Sequence, residues 1–481
     1  MWGGDSIYAD DYVKEATPEI ITNMYHKQKQ HPGYKRLLDT KIPILGVLDD
    51  HDYGVDNGDK TYRYRQESGV ALACDFLDLK GSAICDRAQK GLGVYGVKVV
   101  DFDRPEGQEL MTDREAGLDP DVTALDANAK PTLLSEKSVA IFLLDVRSNK
   151  TPYTKKGMFE KAEYDGDFLG KDQWDWLEQA LARSTASVNI IVQGLQLHAD
   201  RQGPVETWSR FPSSQHRLYQ LLLKPNVRAP IVVSGDVHHA QLLRQDCQFV
   251  ETNKEMRHTE PTRTLLEVTT SGMTHSWGSE ICARPHQLFL CRMSYIKWTA
   301  GKAMQFAQWI NGAKVWTELI DLSLPDAALH RTEEGGRPGM QFSLDRNYAE
   351  FEFDWDARAV IVRILGQEVG GLPLLSSQWS FDSLSGKVPH VQPALVKYND
   401  YMDAYEELFR LGGFDNTTHN GQWICRNYRG TPSPAFRLIG VVLPVVFGLS
   451  MAFAPFAISL VGLLWLFKRI FRPVPPKAKQ A

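Results

Sequence analysis

The 481-residue chain has no basic excess: 54 Lys and Arg stand against 59 Asp and Glu, for a formal net charge of −5. Nucleic-acid binding usually shows as a positive surplus, so no nucleic-acid-binding surface is evident. No internal repeat stands out, which argues against a repeat architecture. No low-complexity tract is long enough to matter. Cysteine is sparse, six residues in all, which excludes a small disulfide-dense scaffold. The start, Met1-Trp2-Gly3-Gly4-Asp5, shows no apolar leader. The hydrophobic fraction of 43% and charged fraction of 23% are those of a folded globular protein, one large domain or two ordinary ones.

One long apolar run is present. Leu438 to Phe467 carries no charged residue, and about 20 apolar helical residues suffice to cross a bilayer core. A transmembrane helix is therefore expected over 437–467, with Pro444 and Pro455 as tolerated kinks. Lys468, Arg469, Arg472, Lys477 and Lys479 follow it, whereas Arg426, Arg429 and Arg437 precede it. That asymmetry predicts a cytoplasmic tail over 468–481, a single-pass anchor in the lipid bilayer, and a lumenal or extracellular body. The sequons Asn149-Lys150-Thr151 and Asn416-Thr417-Thr418 point the same way and suggest a glycoprotein. Cys74, Cys85, Cys247, Cys282, Cys291 and Cys425 form an even set that suits an oxidising compartment, with pairing left open. A lumenal body needs a leader, so the chain is expected to begin inside a longer gene.

Strand-like and helix-like segments alternate through the body, which predicts an α/β layered fold. Trp174, Leu177 and Leu181 recur at helical spacing within Lys171 to Ser184, and Ser213 to Lys224 is a second helix. Ala140 to Leu144, Ser187 to Gly194 and Ile231 to Ser234 read as strands, and Arg263 to Thr270 and the stretches near Phe342 and Ala359 as β-rich. Residues 371–436 carry Pro, Gly, Ser and Asn and read as a membrane-proximal tail. Three polar clusters fall where buried strands would end: Gly4-Asp5-Ser6-Ile7-Tyr8, Asp49-Asp50-His51-Asp52 and Gly235-Asp236-Val237-His238-His239. Strand ends of an open α/β sheet are where ligand sites collect. Hard oxygen and imidazole donors in all three suggest a metal centre and a hydrolase. Two adjacent cations neutralise phosphoryl charge and make water nucleophilic near neutral pH. A neighbouring His can protonate the leaving group.

Gly4-Asp5-Ser6-Ile7-Tyr8-Ala9-Asp10, Asp49-Asp50-His51-Asp52-Tyr53-Gly54 with Asn57, Leu144-Asp145-Val146-Arg147 and Ser234-Gly235-Asp236-Val237-His238-His239 occur in this order. Together with Phe168-Leu169-Gly170, Gln173-Trp174 and Ser271-Gly272-Met273-Thr274-His275, the set resembles the PhoD-like alkaline phosphatases, a branch of the calcineurin-like metallophosphoesterases. The resemblance runs from residue 4 to about 365. It implies an α/β (α+β) layered sandwich of mixed β-sheets with flanking helices over 1–370, here followed by the C-terminal transmembrane helix. It also implies a phosphate-ester substrate and a binuclear or trinuclear centre of iron and calcium, with zinc or manganese left open.

By the same resemblance, Asp5 is a bridging metal ligand, Tyr8 a phenolate ligand, and Asp50, Asp236 and His238 further ligands. A phenolate favours a hard ion such as ferric iron, although Tyr8 could instead pack on the loop. His51 is the general acid. Asp49 and Asp52 either orient it or solvate the loop. Arg147 is a phosphate clamp or the partner of a buried ion pair with Asp145. His239 packs beside the ligands, and His198, His275 and Asn57 are candidate pocket residues. The family carries a further strand, with a cysteine ligand, ahead of the first cluster. Met1, Trp2, Gly3 and Gly4 provide no such ligand. The expected function is a membrane-anchored phosphatase or phosphodiesterase using metal-bound hydroxide. The alternative is an inactive membrane-tethered relative serving as a scaffold.

Overall fold

The computed structural model describes residues 1–11, 13–123, 133–154, 162–199, 206–250, 263–273, 276, 342–343, 345–367, 372–388, 421–426, 442–443, 445–451 and 453. The N-terminal third is mainly helical: α1 (Pro18–Gln30), α2 (Pro32–Asp39), α3 (Asp50–Tyr53), α4 (Arg65–Val70), a π-helix (Ala71–Phe76) and α5 (Ala83–Gln89). Strand β1 (Gly96–Asp101), α6 (Asp113–Ala116), α7 (Pro120–Thr123) and β2 (Ser138–Leu143) follow, then α8 (Gly170–Arg183), β3 (Val188–Val192), α9 (Pro212–Leu222) and β4 (Pro230–Ser234). The remainder is mostly strand: β5 (Ala240–Val250), β6 (Arg263–Thr270), β7 (Phe342–Ser343), β8 (Tyr348–Asp354), β9 (Ala359–Leu365), β10 (Leu375–Ser380), α10 (Phe381–Leu384) and β11 (Gln422–Arg426).

The strands build two sheets. The large one runs β1-β2-β3-β4-β6-β5-β11, with β7 on β5, and the small one runs β10-β9-β8. At the centre of the large sheet β2, β3, β4 and β6 are parallel, while β1, β5 and β11 pair antiparallel. The architecture is thus mixed α/β with a mixed sheet. Central parallel strands are covered on both faces, and their side chains divide by parity. Val139, Ile141 and Leu143 of β2 join a core with α1, the π-helix and strands β9 and β10. Ala140, Phe142 and Leu144 join a second core with Trp174, Leu177 and Leu181 of α8 and Leu218 and Leu222 of α9. The continuous apolar runs of the sequence are strands wetted on neither side. On β8, by contrast, Glu350 and Glu352 face out and meet Arg363 of β9 at 3.2 and 2.6 Å, an edge strand blunted by charge.

Four expectations are corrected. No helix among the described residues is long and apolar enough to cross a membrane. Most of the stretch 437–467 lies outside the described residues. The transmembrane helix, and the single-pass localisation built on it, are unsupported. Second, β10 and β11 fall within the stretch read as a membrane-proximal tail and are built into the small and the large sheet respectively. Third, the Asn149 side chain donates to the carbonyl of Leu92 at 3.0 Å and sits half-buried, a poor glycan acceptor; Asn416 lies outside the described residues. Fourth, the Asp49-Asp50-His51-Asp52 cluster, expected where a buried strand would end, follows no strand: the apolar run Ile44 to Leu48 ahead of it makes only a parallel bridge between Trp2 and Gly46. The cysteines resolve as Cys74–Cys85 and Cys247–Cys425, with Cys282 and Cys291 outside the described residues.

Candidate metal centre

The parallel strands deliver the site. Past the C-terminal ends of β2 and β4 come Asp145 to Arg147 and Asp236 to His238, and the loops 1–10 and 49–57 fold against the same edge. Gly235 lies so close to the first loop that a Cβ there would stand 2.5 Å from the Gly3 carbonyl oxygen. Three of the expected ligands hold left-handed backbone: Asp5 (φ 52°), Asp236 (φ 66°) and His238 (φ 51°). Non-glycine residues are driven there at an energetic cost, and such strain gathers at functional sites.

Two groups of donor atoms converge, each within 4.8 Å: Asp5, Asp50 and His51, and Asp49, Asp50 and Asp236. Asp50 belongs to both, so the geometry puts Asp50 rather than Asp5 in the shared position. The backbone amides of His51 and Asn57 steady its two oxygens at 3.0 and 2.8 Å. Tyr8 and His238 stand alongside: the Tyr8 hydroxyl is 3.1 Å from His238 Nε2, which is 3.6 Å from Asp5 Oδ2.

The electrostatics fit a cation. Burial raises Asp5 and Asp236 well above the usual carboxylate range, and the neighbouring carboxylates raise them further. Burial lifts Asp49 to about 6 against the pull of Arg147. Asp50 would rise by the same burial, but Arg147 and His51 hold it at about 2. Packed carboxylates with hard oxygen donors, short of countercharge, are what a multivalent cation relieves. Asp5, Asp50, Asp236, His238 and Tyr8 are the donors at hand.

The flanking residues take roles the sequence did not show. Neither Asp49 nor Asp52 touches the His51 ring. Asp52 ties the loops together, accepting from the Ser6 amide and hydroxyl (3.2 and 3.0 Å) and from the Asp49 amide at 2.7 Å. The ring instead meets Asp10, whose Oδ1 is 2.7 Å from His51 Nδ1. Although burial disfavours the charged ring, the Asp10 bond and the Asp50 charge carry His51 up to about 9. Asp10 follows Tyr8 by two residues, and only that proximity could have signalled it.

Arg147 is fully buried. Its Nε donates to Asp49 Oδ1 at 2.6 Å, its other nitrogens contact Asp49 and Glu206, and Asp236 lies 3.6 Å away. It is therefore placed as a counterion behind the carboxylates, not as an open clamp, and its partner is not Asp145. The Asp145 carboxylate instead accepts from the amides of Arg147, Ser148 and Val94, while Gln173 of α8 bonds both backbone groups of Asp145. Lys150 completes the layer, donating to the Asn57 carbonyl at 2.8 Å and pairing with Glu206. Neither Lys150 nor Glu206 stood out in the sequence, because isolated charges in loops carry no pattern.

His198 is buried away from the centre, with Nδ1 3.1 Å from the Tyr219 hydroxyl, and burial holds it down to about 3. His239 is buried beside the site, Nδ1 2.8 Å from the Val237 carbonyl. Asn57 contributes its backbone rather than its exposed side chain. His275 lies outside the described residues.

Residues 137–294 match the model of a family described as PhoD-like phosphatase. The resemblance seen in the motifs is matched over that segment, which carries β2, β3, β4, β6, Arg147, Asp236 and His238. Among solved structures, one titled "Structure of PhoD" is similar at 15% identity and a TM-score of 0.36, covering 58% of this chain. The similarity spans 52% of that structure's own length, about half. No curated protein matches the chain.

Proposed function

We propose, from the PhoD-like segment and the donor geometry, that the chain is a metal-dependent phosphoesterase. The observation that carries this reading is the pair of donor groups sharing Asp50, gathered against the edge where β2 and β4 end. Asp5, Asp50, Asp236, His238 and Tyr8 would hold the cations, with iron at the Tyr8 side favoured by a phenolate donor. Bound cations would neutralise phosphoryl charge and lower the pKa of water. The chain's own part is positional. Asp10 occupies His51 Nδ1, so Nε2 is the atom that can give a proton to the departing ester oxygen as its bond to phosphorus breaks. Arg147 and Lys150 hold Asp49 and Glu206 in register, which keeps the ligand loops in place. Monoesters and diesters present the same phosphoryl oxygens to this centre, and both belong to the reading.

The test is a metal assay joined to a rate. Full-length protein loaded with iron, calcium, zinc or manganese should bind metal stoichiometrically and hydrolyse 4-nitrophenyl phosphate or its bis ester. Asp50→Asn should lose the metal, and His51→Ala should lose roughly 10²–10⁴-fold in kcat with metal retained. Protein that binds no metal under any loading and turns over neither ester is not this enzyme.

A further inference from the structure

Beside the metal centre lies a cavity of about 250 Å³. Asp5, Tyr8 and Asp236 form its wall toward the donors, and Trp2, Val233, Met273, Tyr348, Ala349 and Phe351 supply most of the remainder. We infer that this cavity takes the alcohol portion of the substrate and selects an uncharged, apolar one, aryl or alkyl; the inference rests on the phosphoesterase reading above.

Three observations carry it. The first is position: a phosphorus held at Asp5, Asp50 and Asp236 has one ester arm within reach of the shared wall. The second is the lining. Among the described residues its polar side chains beyond that wall are Thr270, Ser271, Asn347, the Tyr348 hydroxyl and the Trp2 indole, and the first three have bonds turned to the protein. Thr270 bonds Asn347 at 3.1 Å, Asn347 donates to the Asp345 carbonyl at 2.9 Å, and Ser271 accepts from the His238 amide at 2.9 Å. A sugar or glycerol would find few free partners, and burying its hydroxyls unpaired is costly. The third is charge. Among the described residues no Lys, Arg or His side chain lines the cavity, whereas Asp5 and Asp236 do, so a second phosphate would meet these two carboxylates there. An apolar cavity of roughly 150 Å³ accepts benzene, so the observed space admits a ring or a short chain. Met273 and Tyr348 are more than a third exposed and form the rim through which the group would enter.

The test compares four esters on the metal-loaded full chain: 2-naphthyl phosphate, hexyl phosphate, glycerol 2-phosphate and pyrophosphate. The naphthyl or the hexyl ester should exceed the last two by roughly tenfold or more in kcat/KM, and which one leads separates a ring from a chain. Phe351→Ser should lower kcat/KM for the leading ester roughly tenfold more than for glycerol 2-phosphate, which erases that lead. Should Phe351→Ser fail to fold, Met273→Asp at the exposed rim should reduce the lead in the same direction. A direct reading needs no turnover: 2-naphthol or hexanol should bind the metal-free protein by calorimetry and bind more weakly to the same variant. Equal rates on all esters, a preference for pyrophosphate, or an unchanged ratio in the variants overturns the inference while leaving the phosphoesterase standing. Hydrolysis of none of the four removes the phosphoesterase, and alcohol binding then still decides the cavity.

Discussion

Nδ1 of His51 faces the Asp10 carboxylate at 2.7 Å, and the ring packs against Tyr8, tilted by 39° with centroids 4.4 Å apart. A carboxylate on one ring nitrogen sets the tautomer and aims the other nitrogen. Asp10→Asn keeps the size of the side chain but can donate where it should accept. The expected loss is about 10- to 100-fold in kcat, with KM and metal content little changed. A fall in metal content matching the fall in rate would make Asp10 a structural residue instead. His198 offers a separate test at residue scale. Its folded pKa is depressed to about 3 by burial, so between that value and the ordinary 6.5 the unfolded chain binds the proton and the folded one does not. Its contribution to stability is present above pH 6.5 and lost as pH falls toward 3. Between pH 7 and 4.5 the loss is roughly 2–3 kcal/mol. His198→Leu should flatten the stability–pH slope by that amount in urea titrations, with metal stoichiometry intact. An unchanged slope would show that His198 is already charged when folded.

The loops of the site depend on close backbone approach, and Gly4 is one such point. Its φ is +102°, and a Cβ there would lie 2.3 Å from the Asp49 Cβ. Gly4→Ala should cost at least about 2 kcal/mol and displace Asp49 from Arg147. Reduced metal content together with a lowered urea midpoint is the expected pair of readings, and a normal midpoint would mean the loop can shift. At this scale the sequence is readable where a pattern repeats. Helix α8 was legible from Trp174, Leu177 and Leu181, and β2, β3, β4 and β6 from β-branched runs. The convergence of Asp5, Asp50 and Asp236 was legible because their clusters follow apolar runs or open the chain. Glu206, Lys150 and Asp10 were not, since each acts through a partner distant in sequence: Arg147 is 59 positions from Glu206, and His51 is 41 from Asp10. Strand β11 was illegible for a similar reason. Five residues, Gln422–Arg426, become a strand only by pairing with β5 far upstream. The apolar C-terminal run illustrates the converse, a composition that read as a bilayer span yet forms no such helix among the described residues.

Across the whole molecule, two disulfides brace very different distances. Cys74–Cys85 closes a separation of 11 residues, and Cys247–Cys425 one of 178. Loop-closure entropy predicts stabilisation of roughly 3 and 5 kcal/mol respectively. A Cys247→Ser, Cys425→Ser double variant should therefore lose more stability than Cys74→Ser, Cys85→Ser, as measured by urea denaturation. Equal losses would show that strand pairing, not the cross-link, holds β11 in place. The longer link also binds the chain's later part to its middle. Any protease that nicks the backbone between residues 247 and 425 would produce two polypeptides that still travel as one species in a denaturing gel, separating only once a thiol is added to the sample.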